Sequence, residues 1–246
     1  MKVAITGKGG VGKSTLSAAV AREIADERRM IAIDGDPDMN LASALGIDQP
    51  DPITQETDLI EDRAGSSGGL IQLRPEVTDV LESKSVAFGE RGRLVTIGPP
   101  EAGGTGCMCP ENNFIRSLVN QALDYDDVVM DMEAGIEHLG RGTADDVDAM
   151  IVVVEPSQAS IETAHQIQTL ADDIGIDATY AFLNKVRDES EAELIEDQLA
   201  LPIVETFGYD DDIASAGLEG VSPVEASPAL RATARDVLDS VVADIE

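Results

Sequence analysis

The stretch Gly7–Thr15, GKGGVGKST, sets glycines, two lysines and two hydroxyls directly behind the apolar run Val3, Ala4, Ile5. Glycines allow backbone N–H groups to turn inward around an anion. Lys13 adds a point charge for β- and γ-phosphates, and the Ser14 hydroxyl can reach Mg2+. The Ala- and Leu-rich run that follows predicts a helix whose positive end faces the same anion. A strand before and a helix after are the context such a loop requires, and a plain glycine turn is the competing reading. Gly7, Lys8, Gly9, Gly10, Val11, Gly12, Lys13, Ser14 and Thr15 are therefore the expected phosphate-binding segment. Lys8 is surplus to that chemistry.

Three more stretches carry candidate chemistry. IAIDGDPDMNL (31–41) ends an apolar run in Asp34, Asp36 and Asp38. Carboxylates at the carboxyl end of a strand beside a phosphate loop hold Mg2+ or orient an attacking water. Solvated acids are the alternative for Asp34 and Asp38. VVMDMEAGIEHLGRG (128–142) repeats the pattern, with Asp131 expected to take a water on Mg2+ and Gly135 to hinge the loop behind it. In FLNKV (182–186), the Asn184 amide can both donate to and accept from a purine edge, or it can cap a turn.

GTGCMCPENN (104–113) holds the only two cysteines, Cys107 and Cys109. Pro110 suits a first helical position, which places Cys109 where a helix end favours thiolate. One such pair supplies two sulfur ligands, whereas a closed tetrahedral site takes four; a two-fold axis would supply the rest. Two redox-silent or buried thiols are the alternative. They are too close in sequence to staple a fold, and an intracellular, reducing, cytoplasmic setting suits them.

Elements that position these residues follow from periodicity. Short apolar runs predict strands near 2–6, 30–34, 93–97, 127–131, 149–154, 178–183 and 202–206. Helical patterns cover 14–27, 111–123, 158–173, 189–199 and 228–244. The alternation is that of an α/β fold, a mostly parallel sheet flanked by helices, in one domain over residues 1–246. EDRAGSSGGLIQLRP (61–75) reads as an irregular excursion and GPPEAGGTG (98–106) as a glycine-rich loop. With 43% hydrophobic residues but 3% aromatics, the core must be aliphatic.

Charge bounds the partners. The chain carries 48 acids against 17 bases, a net charge of −31. The acids spread along the whole chain, which suits a salt-adapted protein better than a local acidic docking surface. Such a surface repels nucleic acid and anionic lipid. No stretch approaches the ~20 apolar residues of a membrane helix, and the short apolar start does not read as a signal peptide.

The loop with Lys8 resembles the deviant Walker A group of dimeric ATPases, the SIMIBI-type P-loop proteins that include septum-site and partition ATPases and the nitrogenase iron protein. That resemblance implies ATP as ligand, Lys8 reaching the nucleotide of a partner chain, Asp36 of the D-P step acting on the attacking water, and Asn184 on the base. KGGVGKST, DGDPDMNL, GCMCPEN and DMEAGIEHLGRGT together resemble the CooC family of carbon monoxide dehydrogenase maturation ATPases, over nearly the whole chain. This implies a nucleotide-dependent homodimer, nickel or zinc held by Cys107 and Cys109 of two chains, and carbon monoxide dehydrogenase as client; His138 is left without a role.

Rival readings are a septum-site or partition ATPase and an iron–sulfur scaffold or reductase. The first lacks a basic face on LRATARDVLDSVVADIE (230–246). The second would resemble the nitrogenase iron protein, yet DMEAGIE (131–137) contains no cysteine. A non-enzymatic metal store leaves Lys8, Lys13 and Asp36 unexplained.

Overall fold

The computed structural model describes residues 1–65, 75–99, 110–134 and 147–245. Its strands are β1 (Lys2–Gly7), β2 (Met30–Asp34), β3 (Val86–Phe88), β4 (Gly92–Thr96), β5 (Val128–Asp131), β6 (Ala149–Val154), β7 (Thr179–Val186) and β8 (Ile203–Gly208). They form one sheet in the order β3-β4-β2-β5-β1-β6-β7-β8. Among the described strands only the β3–β4 edge pair is antiparallel. Parallel strands need covered crossovers, so helices lie on both faces.

Those helices are α1 (Lys13–Glu27), α2 (Leu41–Leu45), α3 (Thr57–Ala64), α4 (Thr78–Ser83), α5 (Pro110–Ala122), α6 (Gln158–Ile174), α7 (Glu189–Glu196), α8 (Asp211–Glu219), α9 (Pro223–Ala226) and α10 (Pro228–Ile245). Successive strand side chains point to opposite faces, which divides the core in two. Val3, Ile5, Ala32, Val129 and Ile151 join Leu16 and Val20 of α1 and Val237 and Val241 of α10. Ala4, Ile31, Ile33, Met130 and Val152 join Phe114 and Leu118 of α5 and Ile161 and Ile167 of α6. Both halves are chiefly aliphatic, as the composition requires. Alanines at 18, 19, 21 and 25 are fully buried in α1; their small side chains let the helix lie close to the sheet.

Several elements escape the periodic reading. The excursion expected from residue 61 begins inside a helix, α3, while 66–74 lie outside the described residues. The edge strand β3 and the short helices α2, α4 and α9 offer too few residues for a period to show. Helix α8 is legible only from its cap: Asp210 Oδ1 accepts the N–H groups of Asp212 (2.8 Å) and Ile213 (3.2 Å). Conversely, the helix expected over 189–199 stops at Glu196, and the strands expected over 178–183 and 202–206 continue to Val186 and Gly208.

Candidate functional site

Parallel register brings the acidic strand ends together. Asp131 of β5 stands opposite Ile5 of β1 and Asp34 of β2. The chain beyond each strand is then tied to its neighbour. Gly35 N–H donates to the Asp131 carbonyl (2.8 Å), Met132 N–H to the Ile5 carbonyl (2.9 Å), and Thr6 Oγ1 to the Glu133 carbonyl (3.0 Å). The phosphate loop therefore emerges from β1 beside both acidic segments.

Glycine is required in the loop for stated reasons. Gly7 has φ +147°, and a Cβ there would stand 2.5 Å from the Val153 carbonyl oxygen. Gly12, the N-cap of α1, has φ +102°, and a Cβ on it would run into the Asn184 amide. Left-handed backbone at Gly10 (φ +82°) and Gly12 turns successive peptides to form an anion-binding concavity.

Lys13 is buried, with Nζ 3.1 Å from Asp36 Oδ2. Asp36 Oδ1 accepts the Asp38 N–H (3.0 Å), while the Asp38 side chain lies on an exposed residue. Asp34 is fully buried; its Oδ1 accepts the Asp36 N–H (3.3 Å) and its Oδ2 the Leu41 N–H (3.1 Å). It thus shapes the 34–41 loop. Burial, then the neighbouring Asp131 charge, pushes the Asp34 carboxyl up to about 7 against the pull of those two amides.

Asp131 is also fully buried. Burial pushes its carboxyl up to about 6, opposed by the Ser14 hydroxyl, the Lys13 charge and the Ser17 hydroxyl. Ser17 Oγ donates to Oδ1 (3.2 Å), whereas Oδ2 is buried with no hydrogen-bond partner. An orphaned carboxylate oxygen among hydroxyls is a hard-ligand set suited to Mg2+. Among the described residues no three His, Cys, Asp or Glu side chains make a closed metal cage, so phosphate oxygens and water would complete the six ligands that Mg2+ takes.

Asn184 ends up closer to the loop than its strand position suggests. Its Nδ2 donates to the Val11 carbonyl (2.7 Å) and its Oδ1 accepts the Lys185 N–H (2.9 Å). One hydrogen and one lone pair remain for a base. Beside it a cavity of about 120 Å³ is lined by Thr15, Phe182, Phe207, Tyr209 and Ile213. Apart from Thr15, sequence reading missed these, together with Ser17 and Lys185; the signal was the position of residues 207–213 at and just past the carboxyl end of β8. Cys107, Cys109, Gly135 and His138 lie outside the described residues.

Residues 2–224 match the CobQ/CobB/MinD/ParA nucleotide binding domain family. The carbon monoxide dehydrogenase accessory protein CooC of Rhodospirillum rubrum is 38% identical, over 98% of this chain and 96% of that one. The chain belongs to the CooC family, within the MinD/ParA-type ATPases. Two solved structures share the architecture of this CooC-family ATPase. A ParA family ATPase from Chlorobium tepidum has a TM-score of 0.68 at 19% identity, covering 98% of this chain and 97% of that one. The septum site-determining protein MinD complexed with Mg-ADP, from Pyrococcus horikoshii, has a TM-score of 0.66 at 18% identity, covering 98% and 94%. At those identities the likeness is one of fold. Among the described residues of the CooC-family chain, no helix is long and apolar enough to cross a membrane.

Proposed function

We propose that this CooC-family ATPase is a metallochaperone, one ATPase domain over residues 1–246 that closes as a homodimer on ATP and holds a metal ion between two chains. The observation that carries the nucleotide half is the buried Lys13–Asp36 pair at 3.1 Å, because it couples the phosphate-gripping lysine to the residue proposed to orient the attacking water. The amides of Gly9 to Ser14 cradle the phosphates, with Thr15 at the start of the nucleotide cavity and Asn184 at the base. Ser14 and Asp131, with Asp36 beside them, would hold Mg2+, which supplies charge neutralisation on the phosphate oxygens. Asp36, once Lys13 turns to phosphate, is free to accept a hydrogen bond from the attacking water. Lys8 neutralises phosphate charge on the partner chain's nucleotide, which makes turnover depend on dimer closure.

The metal half rests on Cys107 and Cys109 and on family membership. Each chain offers two thiolates, so a four-sulfur site takes two chains. Nickel or zinc is the cargo, and nickel insertion into a carbon monoxide dehydrogenase, the enzyme served by the Rhodospirillum rubrum relative by name, is the client reaction. Metal and ATP then favour the same dimer, and by linkage each tightens the other's binding.

The test is mass in solution with metal, with ATP, with both and with neither, for the parent and a Cys107→Ser/Cys109→Ser variant. The expected result is one metal ion per dimer in the parent, none in the variant, and ATP binding retained in both. Metal bound stoichiometrically to a monomer, or kept by the double-serine protein, would overturn the shared site.

A further inference from the structure

The tip of the phosphate loop is held by a residue outside it. Lys185 follows Asn184 near the end of β7 and has φ +59°, a left-handed backbone that side chains with a Cβ disfavour. Its Nζ donates to the Gly10 carbonyl at 2.6 Å and lies 3.0 Å from Glu155 Oε2, just past the end of β6. Glu155 is itself anchored, its N–H donating to Ser160 Oγ at 3.1 Å. Three segments distant in sequence thus meet at one amine.

Because a peptide group is planar, fixing the Gly10 carbonyl also fixes the direction of the Val11 N–H on the other side of the same plane. That N–H closes a turn on the Lys8 carbonyl at 3.4 Å. Lys185 is therefore connected to the backbone of Lys8 through one rigid peptide and two hydrogen bonds. Asn184 holds the next peptide in the same way through the Val11 carbonyl. The Lys185–Glu155 pair is partly exposed, with 39% and 24% of the side chains accessible, and such pairs add little to stability. Stability gives no reason to retain a strained lysine there. Strain held at a functional loop does.

We infer that Lys185 is a positioning residue for catalysis: it presets, through the Gly10–Val11 peptide, the turn from which Lys8 reaches the partner chain's nucleotide. This rests on the reading of Lys8 as a lysine acting in trans. Since Lys185 also borders the nucleotide cavity, the alternative is direct contact with the nucleotide, and the two differ in what they do to affinity.

The experiment compares full-length Lys185→Met, Lys185→Arg, Lys185→Gly, Lys8→Ala and the Lys8→Ala/Lys185→Met double variant, measuring kcat, ATP affinity and melting temperature. Lys185→Met should lose on the order of 10–100-fold in kcat, as expected when a reacting group is displaced by under 1 Å, with ATP affinity and melting temperature unchanged. Lys185→Arg, which can still donate to both oxygens, should recover much of the loss. Lys185→Gly relieves the backbone and so folds at least as well, yet should be as slow as the methionine variant. The double variant should be no slower than Lys8→Ala, because both changes remove one function. A loss seen in ATP affinity, or losses that multiply in the double variant, would overturn the inference. Full turnover by Lys185→Met beside an inactive Lys8→Ala would overturn it alone, whereas full turnover by Lys8→Ala would overturn the trans-lysine reading itself.

Discussion

Lys13 Nζ sits 3.1 Å from Asp36 Oδ2, with only 6% and 10% of the two side chains exposed. The cation proposed to grip phosphate is thus paired in advance with the carboxylate proposed to orient water. On the proposed roles, phosphate binding would exchange one anionic partner of Lys13 for another and release Asp36 as the nucleotide arrives.

Asp36→Asn should therefore separate binding from hydrolysis. Without nucleotide, Lys13 is left buried and unpaired, and the protein should lose about 3 kcal/mol, the low end for breaking a buried pair. Added ATP supplies the missing anion, so most of that loss should return in thermal melts with ATP, while turnover per bound ATP falls. A variant that melts like the parent without nucleotide, or hydrolyses at the parental rate, contradicts the coupled role.

Asn184 is bonded to the loop and also borders the cavity proposed for the base, and the two roles have different ligand dependence. Asn184→Ala leaves the Val11 carbonyl without its buried partner, a cost of about 1–3 kcal/mol, and lets the loop relax. Affinity should fall about tenfold for ATP and also for inorganic tripolyphosphate, which has no base. Calorimetric titration of both ligands decides the matter: an undiminished tripolyphosphate affinity would mean that Asn184 reads the purine only.

The net charge of −31 predicts a steep response to salt. Self-repulsion among carboxylates is screened within about 10 Å at 0.1 M salt and within about 3 Å at 1 M. Melting temperatures measured from low to molar KCl should rise throughout that range. A flat response would indicate acids gathered in a docking surface rather than a salt-adapted fold.

Local chemistry made much of this legible. Strand β1, the glycine loop and α1 are contiguous, so their apolar period, φ demands and helix N-terminus can be read without knowing what lies elsewhere. The same holds for the strand ends at Asp34 and Asp131, each announced by an apolar run ending in acid. Where the signal is too short for a period, as in β3 and α2, or where an apparent loop begins inside a helix, as in α3, sequence reading fails because tertiary packing stabilises what propensity alone does not.

What the chain by itself determined is the inventory: a phosphate loop with a second lysine, two acidic strand ends, an amide-bearing strand and a pair of cysteines. What only the tertiary structure decided is which of these meet. Lys13 pairs with Asp36 because β5 inserts between β1 and β2 and brings their carboxyl ends level. Lys185 reaches Gly10 across 175 positions of sequence because β6 alone separates β7 from β1. Strand order and register arise from burying both faces of the sheet at once, a condition on the whole chain that no local pattern encodes.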